Sequence, residues 1–341
     1  MKKSIIIIFI FSFFTIFSFY SCKNSGNKNT ADILNDTTLT IEDLSKEIRN
    51  NPKNADLFVK RSELYLKENN LKEAIRDLEV ALKVDSTRQD IYIKLSDLYL
   101  QKGNSKSAND VLKKCLTSYP ANVEARIKLA YLYFYIQLYR EAMQEIIILE
   151  RNNLQNAESY FLKALILNET EAYQDATHAL KKALEYDKNN DQAYILLALI
   201  YTKLKDTIAL EYFNTASNLF PDNAEVFYNR GYALQEFGKY YEAEQSYLKA
   251  TELDTAYFEA FYNLGYIYAN FLNKNEEALK YFSRAIELRP NSEKAIYSRG
   301  FVYEKMGKYK LAEIDYRKVL EIHPNYDLAI EGLNEVIKKQ R

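Results

Sequence analysis

The chain has 341 residues, 46 basic against 47 acidic, with 30 tyrosines, no tryptophan, five prolines and eight glycines. Near-balanced charge leaves no global field to draw nucleic acid. So few prolines and glycines leave little room for a turn-rich β fold.

Met1 to Ser21 carries Lys2 and Lys3, then the apolar run IIIIFIFSFFTIF. That is the shape of a secretory signal peptide over 1–21, to be set aside from the fold. Cys22 stands directly after Ser21, at the expected cleavage point. The arrangement resembles a bacterial lipobox, although Phe19 and Tyr20 sit where the usual motif has leucine and a small residue. The resemblance implies lipidation of Cys22. The alternative is an uncleaved signal anchor, since the apolar stretch approaches the roughly 18 to 20 residues that span a bilayer. Residues 22–39 are polar and poor in large apolar side chains, which predicts a disordered tether with a reach of roughly 20 to 25 Å. No acidic cluster follows Cys22, of the kind that marks surface export in some Gram-negative lineages. The lipoprotein resemblance therefore implies the cell envelope, at the periplasmic face of the outer membrane.

Residues 40–54 read as the second helix of an incomplete repeat, closed by Pro52, that caps the first full unit. From Ala55 to Tyr326 one pattern then returns eight times, over 55–88, 89–122, 123–156, 157–190, 191–223, 224–257, 258–292 and 293–326. Position 20 of each unit is alanine: Ala74, Ala108, Ala142, Ala176, Ala209, Ala243, Ala278 and Ala312. Position 8 is Ser62, Ser96, Ala130, Ala164, Ala198, Gly231, Gly265 and Gly300, and Pro120, Pro221, Pro290 and Pro324 fall at position 32. Alanine is a strong helix former, but propensity alone does not space alanines 34 residues apart.

The clearest units carry FYNRGYAL, FYNLGYIY and IYSRGFVY in their first helices. These motifs resemble the tetratricopeptide repeat. The resemblance implies an all-α, right-handed α-solenoid superhelix of helix-turn-helix units. Small residues at positions 8 and 20 let paired helices approach, and aromatics at 4, 11 and 24 fill around them. Each unit is too small to bury its own apolar face, so stability comes from stacking. The fifth unit is one residue short near Lys205 to Ala209 and the seventh one residue long near Asn273 to Glu276. Residues 327–341 predict a C-terminal capping helix, with Leu328, Ile330, Leu333 and Ile337 at spacings a helix can partly gather on one face.

Catalytic chemistry finds no footing, and the chain reads as a non-enzyme without cofactor, metal or small-molecule substrate. His178 and His323 belong to different repeats without metal-ligand partners at helical spacing, and no phosphate loop or nucleophile elbow is present. Cys115 occupies position 27, a small-residue core place, and reads as buried packing.

The resemblance implies that first helices line a concave groove through positions 2, 5, 9, 12 and 13. Those positions hold an aromatic ladder: Tyr131, Phe134 and Tyr135 in the third repeat, Phe161 in the fourth, then Tyr228, Tyr232, Tyr262, Tyr266, Tyr297 and Phe301. Tyrosine pairs a large apolar face with a hydroxyl edge, which suits a protein or peptide segment; shared packing is the plainer reading of the same rings. Asp56, Glu63, Asp90, Asp97, Glu124, Glu225 and Glu259 frame the ladder and predict a partner that is basic where it meets the first repeats. Position 5 has no lysine, which removes a carboxylate clamp for C-terminal tails. The expected role is a membrane-tethered protein–protein interaction scaffold assisting assembly of an envelope complex. A glycan-binding lipoprotein of a nutrient-uptake system is the alternative.

Overall fold

The computed structural model describes residues 39–341. The expected signal segment, Cys22 and nearly all of the expected tether lie outside the described residues. Within them are eighteen α-helices and no strand.

The first compact unit, ending at Ala108, holds α1 (Ile41–Asn50), α2 (Ala55–Lys67), α3 (Leu71–Val84), α4 (Gln89–Gln101) and the opening of α5 (Ser105–Ser118). The second unit, from Asn109, carries the rest of α5 and then α6 (Val123–Tyr135), α7 (Tyr139–Arg151), α8 (Ala157–Glu169), α9 (Tyr173–Tyr186), α10 (Asp191–Lys203) and α11 (Ile208–Leu219). It continues through α12 (Ala224–Glu236), α13 (Tyr240–Leu253), α14 (Phe258–Asn270), α15 (Asn275–Leu288), α16 (Glu293–Lys305), α17 (Tyr309–Ile322) and α18 (Asp327–Lys339).

Local chemistry sets the helix ends. Asparagines start first helices by accepting backbone N–H bonds: Asn54 from Asp56, Asn122 from Ala125, Asn190 from Ala193 and Asn223 from Glu225. The turn inside each helix pair needs one left-handed residue, and the chain meets it with Gly103, Gly238 and Gly307 or with strained side chains such as Gln137 (φ 61) and Glu171 (φ 62). The short fifth repeat is absorbed by α11, at 12 residues the shortest of the second helices in the eight pairs, and the long seventh by the turn around Asn273.

The eight position-20 alanines are all fully buried. Across from them, size at positions 8 and 24 is traded. The first four repeats place Ser62, Ser96, Ala130 and Ala164 at position 8 and Leu78, Leu112, Ile146 and Leu180 at position 24, all buried. The last three place glycine against a ring. A Cβ on Gly231 would stand 2.7 Å from the Tyr247 ring, and one on Gly265 would stand 2.7 Å from Phe282. The expectation of an aromatic at position 24 thus holds only from Phe213 onward; Phe213 packs with Ala198, and the three later rings take the space that glycine leaves.

A second tie was not visible from the repeat pattern. In the first unit Arg61 donates from Nε and Nη2 to the two oxygens of Asp77, both at 2.7 Å, and from Nη1 to Ser45 Oγ at 2.8 Å. Arg299 repeats the clasp in the second unit on Asp315 (2.8 and 2.7 Å) and Ser283 (3.2 Å). The aspartate hydrogen bonds raise both guanidinium pKa values against the pull of desolvation. Each arginine rivets its own second helix to the preceding one.

The C-terminal cap keeps part of the expected face, with Leu333 packed on the terminal core and Ile337 half-buried. Ala329, Gly332 and Val336 turn inward, Gly332 lying so close to Tyr316 that a Cβ would meet the ring at 2.7 Å. Leu328 and Ile330 are exposed. Small residues win the contact because Tyr316 already fills the space a leucine would need. Cys115 is free and buried, and burial raises its thiol pKa.

Candidate partner groove

The ladder separates into two layers. Position-5 rings are half-buried wall: Tyr228 lies 5.9 Å from Tyr247 and 4.9 Å from Tyr257, Tyr262 lies 5.6 Å from Phe282, and Tyr297 lies 5.7 Å from Tyr316 and 5.5 Å from Tyr326. Burial, with repulsion from Glu259, pushes the Tyr228 hydroxyl up to about 12. Position-9 rings stand one layer out. Tyr232, Tyr266 and Phe301 expose 37%, 36% and 42% of their surface, far more than core rings, and so present open faces. Tyr257 and Tyr326 are absent from the ladder as read from the sequence because they sit at position 34, in the turn before the next first helix. Their recurrence there was the available signal.

In the third and fourth repeats Tyr131 and Tyr135 stack at 6.1 Å, and Phe134 meets Tyr135 edge-on at 5.8 Å. Tyr135 is largely exposed, whereas Tyr131, Phe134 and Phe161 are half-buried against the core. Beside them the Glu158 carboxyl is raised by desolvation, opposed by Lys128 and reinforced by Glu124.

Most of the acidic frame is already engaged within the chain. In the first unit Arg88 bridges Asp56 and Asp90, and Lys94 holds Glu63 at 2.7 Å; Asp97 is exposed but has interactions of its own. In the second unit Glu225 accepts from the Gln192 amide at 2.9 Å and Glu259 pairs with Arg289 at 2.6 Å. The remaining charges at the groove positions of the late repeats behave likewise. Glu236 pairs with Lys205 at 2.8 Å, and Glu304 takes both Lys339 and the Tyr316 hydroxyl. Lys294 lies 4.7 Å over the Tyr262 ring, and Lys305 donates to the Ala269 carbonyl at 2.9 Å. Asn229 and Asn263 spend amide donors on the Glu225 carbonyl and the Tyr247 hydroxyl. What the groove positions of the late repeats leave open is therefore ring surface.

Models of the tetratricopeptide repeat match residues 89–122, 157–190, 224–257 and 293–326, and a TPR repeat model matches 272–307. Photosystem I assembly protein Ycf3 of Acaryochloris marina is 32% identical over 121 residues, which are 34% of this chain and 69% of that protein. The chain belongs to the tetratricopeptide-repeat family. This tetratricopeptide-repeat protein is also 30% identical to protein O-mannosyl-transferase TMTC3 of Homo sapiens over 133 residues, 38% of the chain and 14% of TMTC3. The chain spans 14%, 6% and 37% of the length of the first curated relatives it matches. Among solved structures, the C-terminal part of a TPR repeat-containing protein from Cytophaga hutchinsonii aligns with TM-score 0.58 at 16% identity, over 71% of this chain and 99% of that one. That likeness shows the fold alone. Tetratricopeptide-repeat proteins generally mediate protein–protein interaction and complex assembly.

Proposed function

We propose that repeats six to eight hold a segment of a partner protein along their first helices, with Tyr232, Tyr266 and Phe301 as anchors, and that the protein works as an assembly scaffold without catalysis. The carrying observation is that these three rings stay open while neighbouring charged groups are satisfied inside the chain. Exposed aromatics with an apolar face and few rotamers to lose are good anchors for an extended or helical segment. That the relative Ycf3 is an assembly protein supports the same reading. Preference for a basic partner is confined, in this reading, to the face around Glu124 and Glu158, where an incoming cation would offset the desolvation that raises Glu158 and its lesser repulsion from Glu124.

The scaffold is tethered through lipidated Cys22 at the periplasmic face of the outer membrane. The order of basic, apolar and polar segments ahead of the repeats supports this. No described helix is long and apolar enough to cross a membrane. Palmitate incorporation that disappears in Cys22→Ala is expected; incorporation that persists, or none in the parent, removes the anchor.

A photo-crosslinking residue at 232 or 266, introduced in cells, tests the groove against one at 241. Tyr241 is 67% exposed but lies on the second helix α13. The same protein adduct from 232 and 266 and none from 241 is the expected result. Equal capture from 241, or capture from none, removes the groove reading.

A further inference from the structure

Three repeats carry arginine at position 7, and only two of these arginines close on a carboxylate. Arg61 and Arg299 each make a two-pronged bond to an aspartate at position 23 and a third bond to a serine on the preceding second helix. In the sixth repeat Arg230 stands in the same place, and its Nε donates to Asn214 Oδ1 on α11 at 3.2 Å. Position 23, however, is Ser246, on α13, and Arg230 Nη1 reaches its hydroxyl only at 3.4 Å. The Nη2 group, which meets the second aspartate oxygen at 2.7 Å in both siblings, has no carboxylate partner among the described residues.

Replacing aspartate by serine removes a carboxyl group's volume from the slot and its charge from the guanidinium. The consequence appears in the direction in which their surroundings push the three guanidinium pKa values. Arg61 and Arg299 are raised by their aspartates, while Arg230 is lowered by desolvation with no acid opposing it. Arg230 also keeps part of its surface open, so an external group can reach it. A half-buried guanidinium whose Nη2 is unused and whose Nη1 is held only at 3.4 Å keeps a pair of donors with the spacing of a carboxylate.

We propose that Arg230, with Ser246 and Asn214, forms a carboxylate-binding notch between α11 and α13, on the second-helix side of the repeats and separate from the aromatic groove. Its ligand supplies the planar carboxylate that Asp77 and Asp315 supply to the sibling clasps, here accepting from Nη2 and the loosely held Nη1, because Nε is taken by Asn214. That carboxylate comes either from an acidic side chain of a docked protein or from a small organic acid.

The test is the modification rate of each arginine in the full-length protein by phenylglyoxal, read by mass spectrometry, with Arg61 and Arg299 as internal controls. Arg230 should react roughly tenfold faster than either clasped arginine, the scale of one charged hydrogen bond. Acetate should slow it more than inorganic phosphate or chloride at matched ionic strength. Ser246→Asp should bring its rate down to that of Arg299, abolish the acetate effect and raise the melting temperature. Arg230 as unreactive as Arg299 in the parent protein, or an acetate effect that survives in Ser246→Asp, overturns the notch. Phosphate protecting better than acetate overturns the carboxylate assignment. For the source, a photo-crosslinker at the exposed neighbour Gln245 in cells gives a protein adduct lost in Ser246→Asp if a side chain is the ligand. Acetate protection with no such adduct assigns a small acid.

Discussion

The first two repeats and the last three solve the same packing problem with opposite chemistry. Repeats one and two set serine at the close approach, Ser62 and Ser96, each hydroxyl returned to its own helix through Val59 and Ile93 carbonyls, and lay paired charges along the first helices. Repeats six to eight set glycine there, fill the space with Tyr247, Phe282 and Tyr316, and lay rings along the first helices. One arrangement makes a wall whose charges are internally satisfied. The other makes a wall that leaves ring faces for another chain.

The comparison is broken most sharply at the buried clasps. Asp315→Ala strands the Arg299 guanidinium and should cost about 3 kcal/mol, whereas Ser246→Ala in the open sixth-repeat clasp should cost under about 1 kcal/mol; urea denaturation reads both. Equal losses would mean that the clasp is not what distinguishes these repeats. Next in size is the volume trade. Gly265→Ala drives a methyl into Phe282 and should cost about 2 kcal/mol, with Phe282→Leu in the same chain restoring much of it. Additive losses in that double variant would sink the trade. Ala243→Leu or Ala312→Leu should cost about 1 to 3 kcal/mol by the same overpacking.

The repeat register was legible because close approach admits so few residue types that small side chains mark it wherever it occurs. Charge pairing was not, since Arg88 and Asp56 are 32 residues apart and Arg289 and Glu259 are 30 apart. Separations of that size join neighbouring turns of the stack, which a single helix wheel does not display. The cap was ambiguous for a related reason. A helical period left the rotation of residues 327–339 open, and close approach to Tyr316 at Gly332 set it, keeping Leu333 inward and turning Leu328 and Ile330 out. The arginine clasps are hidden at position 7, where the repeat pattern asks for leucine. Repetition of Arg and Asp 16 residues apart, at Arg61 and Asp77 and at Arg299 and Asp315, was the signal available.

Smaller effects sharpen the contrast further. Arg88→Gln in the first unit should cost about 0.5 kcal/mol, and less at high salt, because the bridge is partly exposed. Alkaline titration probes the other wall. Tyr228 has a folded pKa raised above its unfolded value, so its contribution is full below about pH 10 and is lost as pH rises towards about 12. Tyr228→Phe should flatten that part of the stability profile; an unchanged alkaline slope would show that the ring is not desolvated.

The most direct measurement is the affinity, across ionic strength, of the segment captured from position 266. If rings carry recognition in the late repeats, the dissociation constant should shift by less than about threefold from low to high salt. Tyr232→Ala together with Tyr266→Ala should weaken binding by roughly a hundredfold or more. Binding that collapses with salt while surviving loss of both rings would contradict the account.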